Sequence, residues 1–260
     1  MICPVCGRPK GLDAFSGRGG AGKGYMRAGF CMDAVDTNGQ HLAAYPFDCA
    51  GGVAILTDAV RFIAEHGHRY AFVHTSPTCT GYSQATSALP DRLTKYDRLI
   101  GATREACEIA GRPYAIENVV SKDTRAELRN PIMLCWTSFY VAGSTLDTHS
   151  CEHCTEGAPL WTRRHRLFES NFPIMAPVIG CRHPKGMQCA GAYGAARRCP
   201  WEAKYIRKGG YVPTDISVLQ RLLDIDWVDD QDALFLAIPP AYTEYVGQYA
   251  LDHLESEAAA

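Results

Sequence analysis

The chain has 260 residues, 47% of them hydrophobic and 21% charged, a composition ordinary for a globular protein and sufficient for one substantial core with a small appendage. No apolar run approaches the roughly 20 residues of a membrane span, and the opening MICPVCGRPK has no basic end leading into an apolar stretch, so neither anchoring nor secretion is expected and the setting is cytoplasmic. The formal net charge of -2 is unevenly placed: Trp161 to Gly210 carries ten Lys/Arg against two Glu, and Tyr211 to Ala260 one Arg against ten Asp/Glu. Local field governs phosphate binding more than the total does; the plainer alternative is two solvated faces of opposite sign.

In chain order, Gly11 to Phe15 reads as a strand running into a glycine turn and a short helix, and Phe30 to Val35 as a second strand ending at Asp36. Thr57 to Glu65 has helical spacing, with Ala59, Val60, Ile63 and Ala64 on one face, and Tyr70 to His74 is a third strand. Arg98 to Ala110 is helical, and Pro113 to Ile116 is a fourth strand stopping at Glu117 and Asn118. After Phe168 the periodicity is lost as far as Pro213. Ile216 to Leu223 is helical again, and Pro240 to Leu254 reads as a terminal helix with Tyr245, Tyr249 and Leu251 on its buried face. Strands alternating with helices predict an α/β, doubly wound, Rossmann-like fold whose ligands sit at the carboxyl ends of the strands. The expected organisation is a catalytic part over 1–170, a small basic recognition region over 171–213, and a segment over 214–260 that returns to the catalytic part.

Three groups of residues fall at such strand ends. Gly17, Gly19 and Gly22 match G-x-G-x-x-G, and Gly17 to Lys23 nearly spells the phosphate-binding G-x-x-x-x-G-K-[ST]. Gly24 stands where that second pattern needs a hydroxyl for magnesium, so a nucleoside cofactor fits better, with Asp36 placed to hold ribose hydroxyls. Cys79 follows the third strand, where the amino terminus of a following helix would lower its pKa as a nucleophile requires; a lone cysteine is otherwise a small buried apolar residue. Glu117 would bring a carboxyl group to the same edge, and Arg164 and Arg166, at alternate positions of a strand, would both face the cleft while Leu167 packs behind.

Asp13 to Gly20 resembles the D-x-F-x-G-x-G-G cofactor motif of DNA cytosine-5 methyltransferases, Ser76 to Cys79 their S-P-P-C, Glu117 to Val119 their E-N-V, and Arg164 to Phe168 their R-x-R-x-F, all in the family's order. Ala237 to Tyr245 is similar to the last motif of compact, phage-type members, so the resemblance spans nearly the whole chain. The resemblance implies transfer of a methyl group from S-adenosylmethionine to carbon 5 of cytosine, with Cys79 adding at carbon 6. It implies that Glu117 binds ring nitrogen 3 and the exocyclic amine, that Arg166 binds the carbonyl at position 2, and that Arg164 positions Cys79 or the flipped nucleotide. Asp13, Phe15, Gly17, Gly19, Gly20, Asp36, Thr37 and Pro77 would hold the cofactor. Asn118, Arg182, Arg197 and Arg198 would contact a DNA substrate, either single-stranded or duplex with the cytosine turned out of the stack. A monomer is expected. The chain departs from the pattern at Thr78, Thr80, Thr162 and Phe235-Leu236, and it has no aspartate near Val53 for the adenine amino group. These departures keep two other readings open: a related donor or a free nucleotide substrate, and a catalytically inactive DNA-binding relative.

Twelve cysteines in a reducing setting read as metal ligands, buried residues or a nucleophile before disulfides. Cys3 and Cys6, with Cys151 and Cys154, form two C-x-x-C pairs that can complete one tetrahedral zinc site stapling the recognition module. Rival ligands are His149, His153, Cys181, His183, Cys189 and Cys199, and paired but metal-free cysteines are the alternative. In the basic appendage, lysines and arginines interleaved with Tyr193, Trp201 and Tyr205 suit phosphate contact and base stacking.

Overall fold

The computed structural model describes residues 1–82, 96–140, 149–151, 154–158, 161–185, 189–191 and 215–259. Its strands are β1 (Lys10–Ala14), β2 (Cys31–Asp36), β3 (Ala54–Leu56), β4 (Phe72–Thr75), β5 (Tyr114–Val119), β6 (Ile132–Cys135), the hairpin of β7 (His149–Cys151) and β8 (Cys154–Ala158), and β9 (His165–Ser170). Its helices are α1 (Gly20–Ala28), α2 (Gly39–Ala43), α3 (Ala59–His66), α4 (Ile100–Ala110), α5 (Lys122–Glu127), α6 (Ile216–Leu223), α7 (Gln231–Leu236) and α8 (Pro240–Ala259). No described helix is long and apolar enough to cross a membrane.

Seven strands form one sheet in the order β3-β2-β1-β4-β5-β9-β6. The first five pair in parallel, and β9 enters antiparallel between β5 and β6. Register aligns Ala14 with Val35 and Thr75, and Thr75 with Ile116, so the turns after β1, β2, β4 and β5 open on one edge. Because β9 runs the other way, its first residues reach that same edge, with Arg166 beside Val119. The expected doubly wound architecture is what the sheet shows.

Both faces of the sheet are covered, which is why β4 is buried along its whole length. On one face Phe30, Met32, Phe72 and Phe168 pack with α1 and α8; on the other Leu12, Val35, Val73 and Leu167 pack with α3 and α4. Leu167 thus lies behind the sheet edge as its spacing predicts, fully buried. A third cluster gathers Trp136 and Trp161 with Leu219, Leu222 and Leu223 of α6 and Leu234 of α7. The buried face of α8 is Tyr242, Val246 and Ala250 at successive fourth positions, whereas Tyr245, Tyr249 and Leu251 are only partly buried at its flank. The sequence expectation for that helix was one residue out of phase, because tyrosines at i and i+4 make an apolar row as well as an aliphatic one does.

Helices α1 and α8 approach closely through glycines. A Cβ at Gly24 would lie 2.1 Å from the Pro240 carbonyl and 2.1 Å from Thr243 Oγ1, and one at Gly247 would meet the Ala28 Cβ at 2.7 Å. The missing hydroxyl at position 24 is therefore a packing requirement. On the face that α4 covers, Arg104 holds Glu169 of β9 through two bonds of 2.6 and 2.7 Å and also donates to the Glu127 carbonyl at 2.6 Å. The Arg129 N–H also donates to Glu169, at 2.7 Å.

Removing one partner of a buried ion pair leaves an uncompensated charge, so Arg104→Ala is expected to lower unfolding free energy by about 3–5 kcal/mol, and Arg104→Met with Glu169→Leu to recover most of it. Urea unfolding of the three proteins measures this; equal stability of Arg104→Ala and wild type would refute the pair's role.

Candidate functional site

The turn after β1 is shaped by left-handed backbone at Phe15 (φ 57), Gly17 (φ 52) and Gly19 (φ 80). It is tied to the second strand by Ser16 N–H to the Val35 carbonyl (3.0 Å) and by Gly17 N–H to Asp36 Oδ2 (2.9 Å). Asp36 Oδ1 accepts from the Asn38 N–H at 2.8 Å, so the carboxylate is locked at the end of β2. Where a Cβ on Gly17 would project there is open space, and Gly17 lines a cavity of about 540 Å³. That volume lies in the range of small-molecule sites, roughly 300–1,000 Å³. Phe15, Gly20, Asp36, Thr37 and Pro77 line it too.

Asp13 and Gly19 do not line it. Asp13 is fully buried beneath α1, accepting from Tyr45 O–H at 2.9 Å, and burial pushes its carboxyl up to about 8 against the pull of that bond and the Gly22 N–H. Gly19 is the N-cap of α1, where a Cβ would meet Pro46 at 2.4 Å. Both hold up the turn from behind.

Cys79 lines the cavity with Thr78 and Thr80 on the loop after β4. Ser76 N–H bonds the Ala14 carbonyl (3.2 Å), Asn118 Nδ2 donates to the Pro77 carbonyl (2.8 Å), and Tyr82 N–H closes on the Cys79 carbonyl (2.9 Å). The Asn118 amide is thus bound within the protein, its oxygen taking the Val119 N–H at 2.9 Å, and it positions the cysteine loop rather than facing the cavity. Residues 83–95 lie outside the described residues, and with them the helix terminus expected to lower the Cys79 pKa. Burial pushes the thiol up and Glu117 adds to that, while Arg166 and Arg164 pull it down.

Glu117 is 5% exposed and its Oε1 lies 2.7 Å from Arg166 Nε. The approach is off the N–H axis, so Oε1 has an ion-pair partner but no hydrogen bond and remains open to one. Burial pushes the Glu117 carboxyl up to about 7, opposed by Arg166 and Arg164. Arg166 shares the cavity wall. Arg164 does not: it is fully buried, and donates to the carbonyls of Ala237 (3.1 Å) and Phe235 (2.8 Å) while its own carbonyl accepts from Tyr242 O–H. It clamps the return segment whose Leu236, Ala237 and Ile238 close the cavity. The expectation that both arginines face the cleft holds for Arg166 alone, because Arg164 precedes β9 and has left the pleat.

Arg182 is exposed, its N–H on Thr137 Oγ1 at 3.0 Å, while Arg197 and Arg198 lie outside the described residues, as do Tyr193, Trp201 and Tyr205. A lining residue the sequence reading passed over is Asp58. It caps α3 through its Oδ1 and the Arg61 N–H (2.8 Å), directly after β3. It brings a carboxylate to the cavity a few residues after Val53; a three-residue strand with no alternation hid it, though an Asp before a helical run was a visible capping signal.

The structure also gives Cys3 and Cys6 other partners than Cys151 and Cys154. The thiols of Cys3, Cys6, Cys31 and Cys49 all lie within 4.8 Å of one another. Gly51 permits this: a Cβ there would stand 2.4 Å from Cys3 Sγ. Arg8 Nε donates to Cys6 Sγ (3.3 Å) and Gly51 N–H to Cys49 Sγ (3.2 Å), the outer contacts that orient thiolates around a metal. Cys151 and Cys154 pair across the β7–β8 hairpin, and their side chains lie outside the described residues.

No protein-family model and no curated protein matches the sequence. Among solved structures, a protein assigned as a DNA modification methyltransferase encoded within an E. coli prophage superposes with a TM-score of 0.55 at 14% identity, over 95% of this chain and 99% of its own. The S. pombe Dnmt2 methyltransferase does so with a TM-score of 0.54, again at 14% identity and over 95% and 99% of the two chains. The chain has a methyltransferase fold. Within that fold, the cavity joins the glycine turn to the thiol, carboxyl and guanidinium groups at the edge formed by β4, β5 and β9.

Since the Glu117 carboxyl rises from 4.5 to about 7 on folding, the native state binds the extra proton between these values. Its contribution is present below about pH 4.5 and is lost as pH rises through about 7. Unfolding free energy of wild type relative to Glu117→Gln is therefore expected to fall between those pH values and level off above; a difference flat across that window contradicts a buried, protonated Glu117.

Proposed function

We propose that the protein transfers a methyl group from S-adenosylmethionine to carbon 5 of cytosine in DNA, through a covalent bond from Cys79 to carbon 6. The observation that carries this reading is that Cys79, Glu117 and Arg166 line one cavity with the glycine turn, Asp36 and Asp58. DNA as the substrate is supported by the prophage-encoded DNA modification methyltransferase that shares the fold and by the basic run from Trp161 to Gly210.

The residues present fit the donor. Gly17 leaves space for close approach, Asp36 stands at the end of β2 for ribose hydroxyls, and Asp58 has one carboxylate oxygen beyond its cap for an adenine amine. Phe15, Ala59 and Val228 supply apolar wall. When bound, S-adenosylmethionine supplies an electrophilic methyl group on a sulfonium. The chain's own residues activate the pyrimidine. The Cys79 thiolate adds at carbon 6, the ring's double bond becomes electron-rich at carbon 5, and negative charge builds toward ring nitrogen 3. Glu117, with a proton retained to about pH 7, donates to that nitrogen through the oxygen that lacks a hydrogen bond within the protein. Arg166 holds the carbonyl at position 2 and also draws the thiol toward thiolate. Loss of the carbon 5 proton to a base then lets the carbon–sulfur bond break and returns the thiolate. Asn118 and Arg164 act as positioning residues, on the cysteine loop and the return segment respectively. Asp58 in the cavity supports S-adenosylmethionine over the related donor that Val53 suggested. One zinc on Cys3, Cys6, Cys31 and Cys49 staples the amino terminus to the start of β2.

Incubation with labelled S-adenosylmethionine and duplex or single-stranded DNA, followed by digestion and mass spectrometry, is expected to yield 5-methylcytosine from wild type and background from Cys79→Ser. Glu117→Gln is expected to lose about 10²- to 10⁴-fold in rate. A different adduct, or binding to DNA without modification, refutes the reaction. Asp58→Ser, which retains an N-capping hydroxyl, is expected to raise the Kd for S-adenosylmethionine about five- to tenfold in calorimetry, as loss of one hydrogen bond of about 1 kcal/mol dictates. An unchanged Kd would remove Asp58 from the cofactor site.

A further inference from the structure

Outside the cavity, Cys135, His165, Cys181 and His183 place their ligand atoms within 4.8 Å of one another. Cys135 ends β6 and His165 begins β9, and the two are direct cross-strand partners, so both side chains leave the sheet on one side. Cys181 and His183 come from the segment that follows β9 and folds back over this corner. Thr137 holds it there: its hydroxyl oxygen accepts the Arg182 N–H at 3.0 Å and lies 3.2 Å from Cys135 Sγ. Trp161 packs against the His183 ring with centroids 5.3 Å apart.

The distances within the cluster are those of a coordination shell. His183 Nε2 lies 2.9 Å from Cys181 Sγ, 3.1 Å from His165 Nε2 and 3.5 Å from Cys135 Sγ, and His165 Nε2 lies 3.3 Å from Cys181 Sγ. A ring nitrogen has one proton or one lone pair, so hydrogen bonding accounts for one of the three neighbours of His183 Nε2, not for all. A central cation accounts for all of them. With zinc about 2.3 Å from sulfur and about 2.0 Å from nitrogen, tetrahedral angles separate two nitrogens by about 3.3 Å and a sulfur from a nitrogen by about 3.5 Å. The cluster is within a few tenths of an ångström of that figure for most pairs, and two thiolates with two imidazoles are a donor set that selects zinc.

We propose that Cys135, His165, Cys181 and His183 form a second, tetrahedral zinc centre that pins the segment after β9 to the sheet corner, one residue from Arg166. It stands apart from the Cys3 centre and needs neither the donor nor the substrate proposed above.

Metal analysis of the full chain is expected to find two zinc equivalents. Cys181→Ser with His183→Ala is expected to lose one, and Cys6→Ser with Cys49→Ser the other. Zinc-edge X-ray absorption on the Cys6→Ser/Cys49→Ser protein, which keeps only the centre proposed here, is expected to show sulfur and nitrogen in equal number. His183→Cys retains four ligands and is expected to keep the metal with a third sulfur, which separates loss of a ligand from loss of the fold. An unchanged zinc content in Cys181→Ser/His183→Ala, or a zinc-free but folded Cys6→Ser/Cys49→Ser protein, overturns the proposal. Loss of the Cys3 centre alone, with this one retained, supports it.

Discussion

The antiparallel entry of β9 between β5 and β6 decides what the sheet edge can do. In an all-parallel sheet that edge receives only strand ends and the turns after them, which here provide glycine backbone, a thiol and carboxylates. Reversing β9 brings the start of a strand to the same place, and with it Arg166 beside Val119 and against Glu117. The pairing puts a fixed cation next to a buried acid whose proton is otherwise retained by desolvation alone, so neither burial nor charge pairing prevails outright and the carboxyl sits near neutrality. The same guanidinium works on Cys79 in the opposite sense to burial. Arg166 thus opposes burial at both groups without cancelling it, and the Glu117 carboxyl and the Cys79 thiol both stay above their ordinary values.

The remaining walls depend on how closely the return segment approaches. Gly24 and Gly247 let α8 lie against α1, and that contact delivers Leu236 to Ile238 over the glycine turn. Arg164 fixes this segment by its carbonyls, and Trp227 Nε1 donates to the Arg18 carbonyl at 2.8 Å. The acidic character of the segment also finds a partner here: Asp230 pairs with Arg18 at 3.1 Å and Asp224 with Arg27. These side chains lie at or near the surface, where such pairs contribute little to stability, and they orient the segment more than they hold it.

Two sulfur-containing clusters lie at opposite edges of the sheet, one at the start of β2 and one on the cavity side, where β6 ends and β9 begins. Each joins an irregular segment, residues 3–6 or 181–183, to a strand terminus. Irregular segments of that kind bury little apolar surface, so a metal offers stabilisation that packing alone does not.

What the sequence by itself determined was the local order of the longer elements: β1, β2, β4 and β5 with α1, α3, α4, α6 and α8, the glycine turn after β1, Cys79 in the loop after β4, and Glu117 at the carboxyl end of β5, a strand that runs on to Val119. Those features depend on periodicity and on neighbours a few residues away, which a single chain displays. Tertiary structure decided the partners. Arg164 turned from the cleft to the carbonyls of Phe235 and Ala237, Asp13 went beneath the turn, and Asp58 entered the cavity at the end of a strand too short to show alternation. Cys3 and Cys6 met Cys31 and Cys49, because β2 begins beside the amino-terminal loop. Motif spacing reports distance along the chain, whereas metal and proton chemistry depends on distance through space, and only the register of the strands converts one into the other.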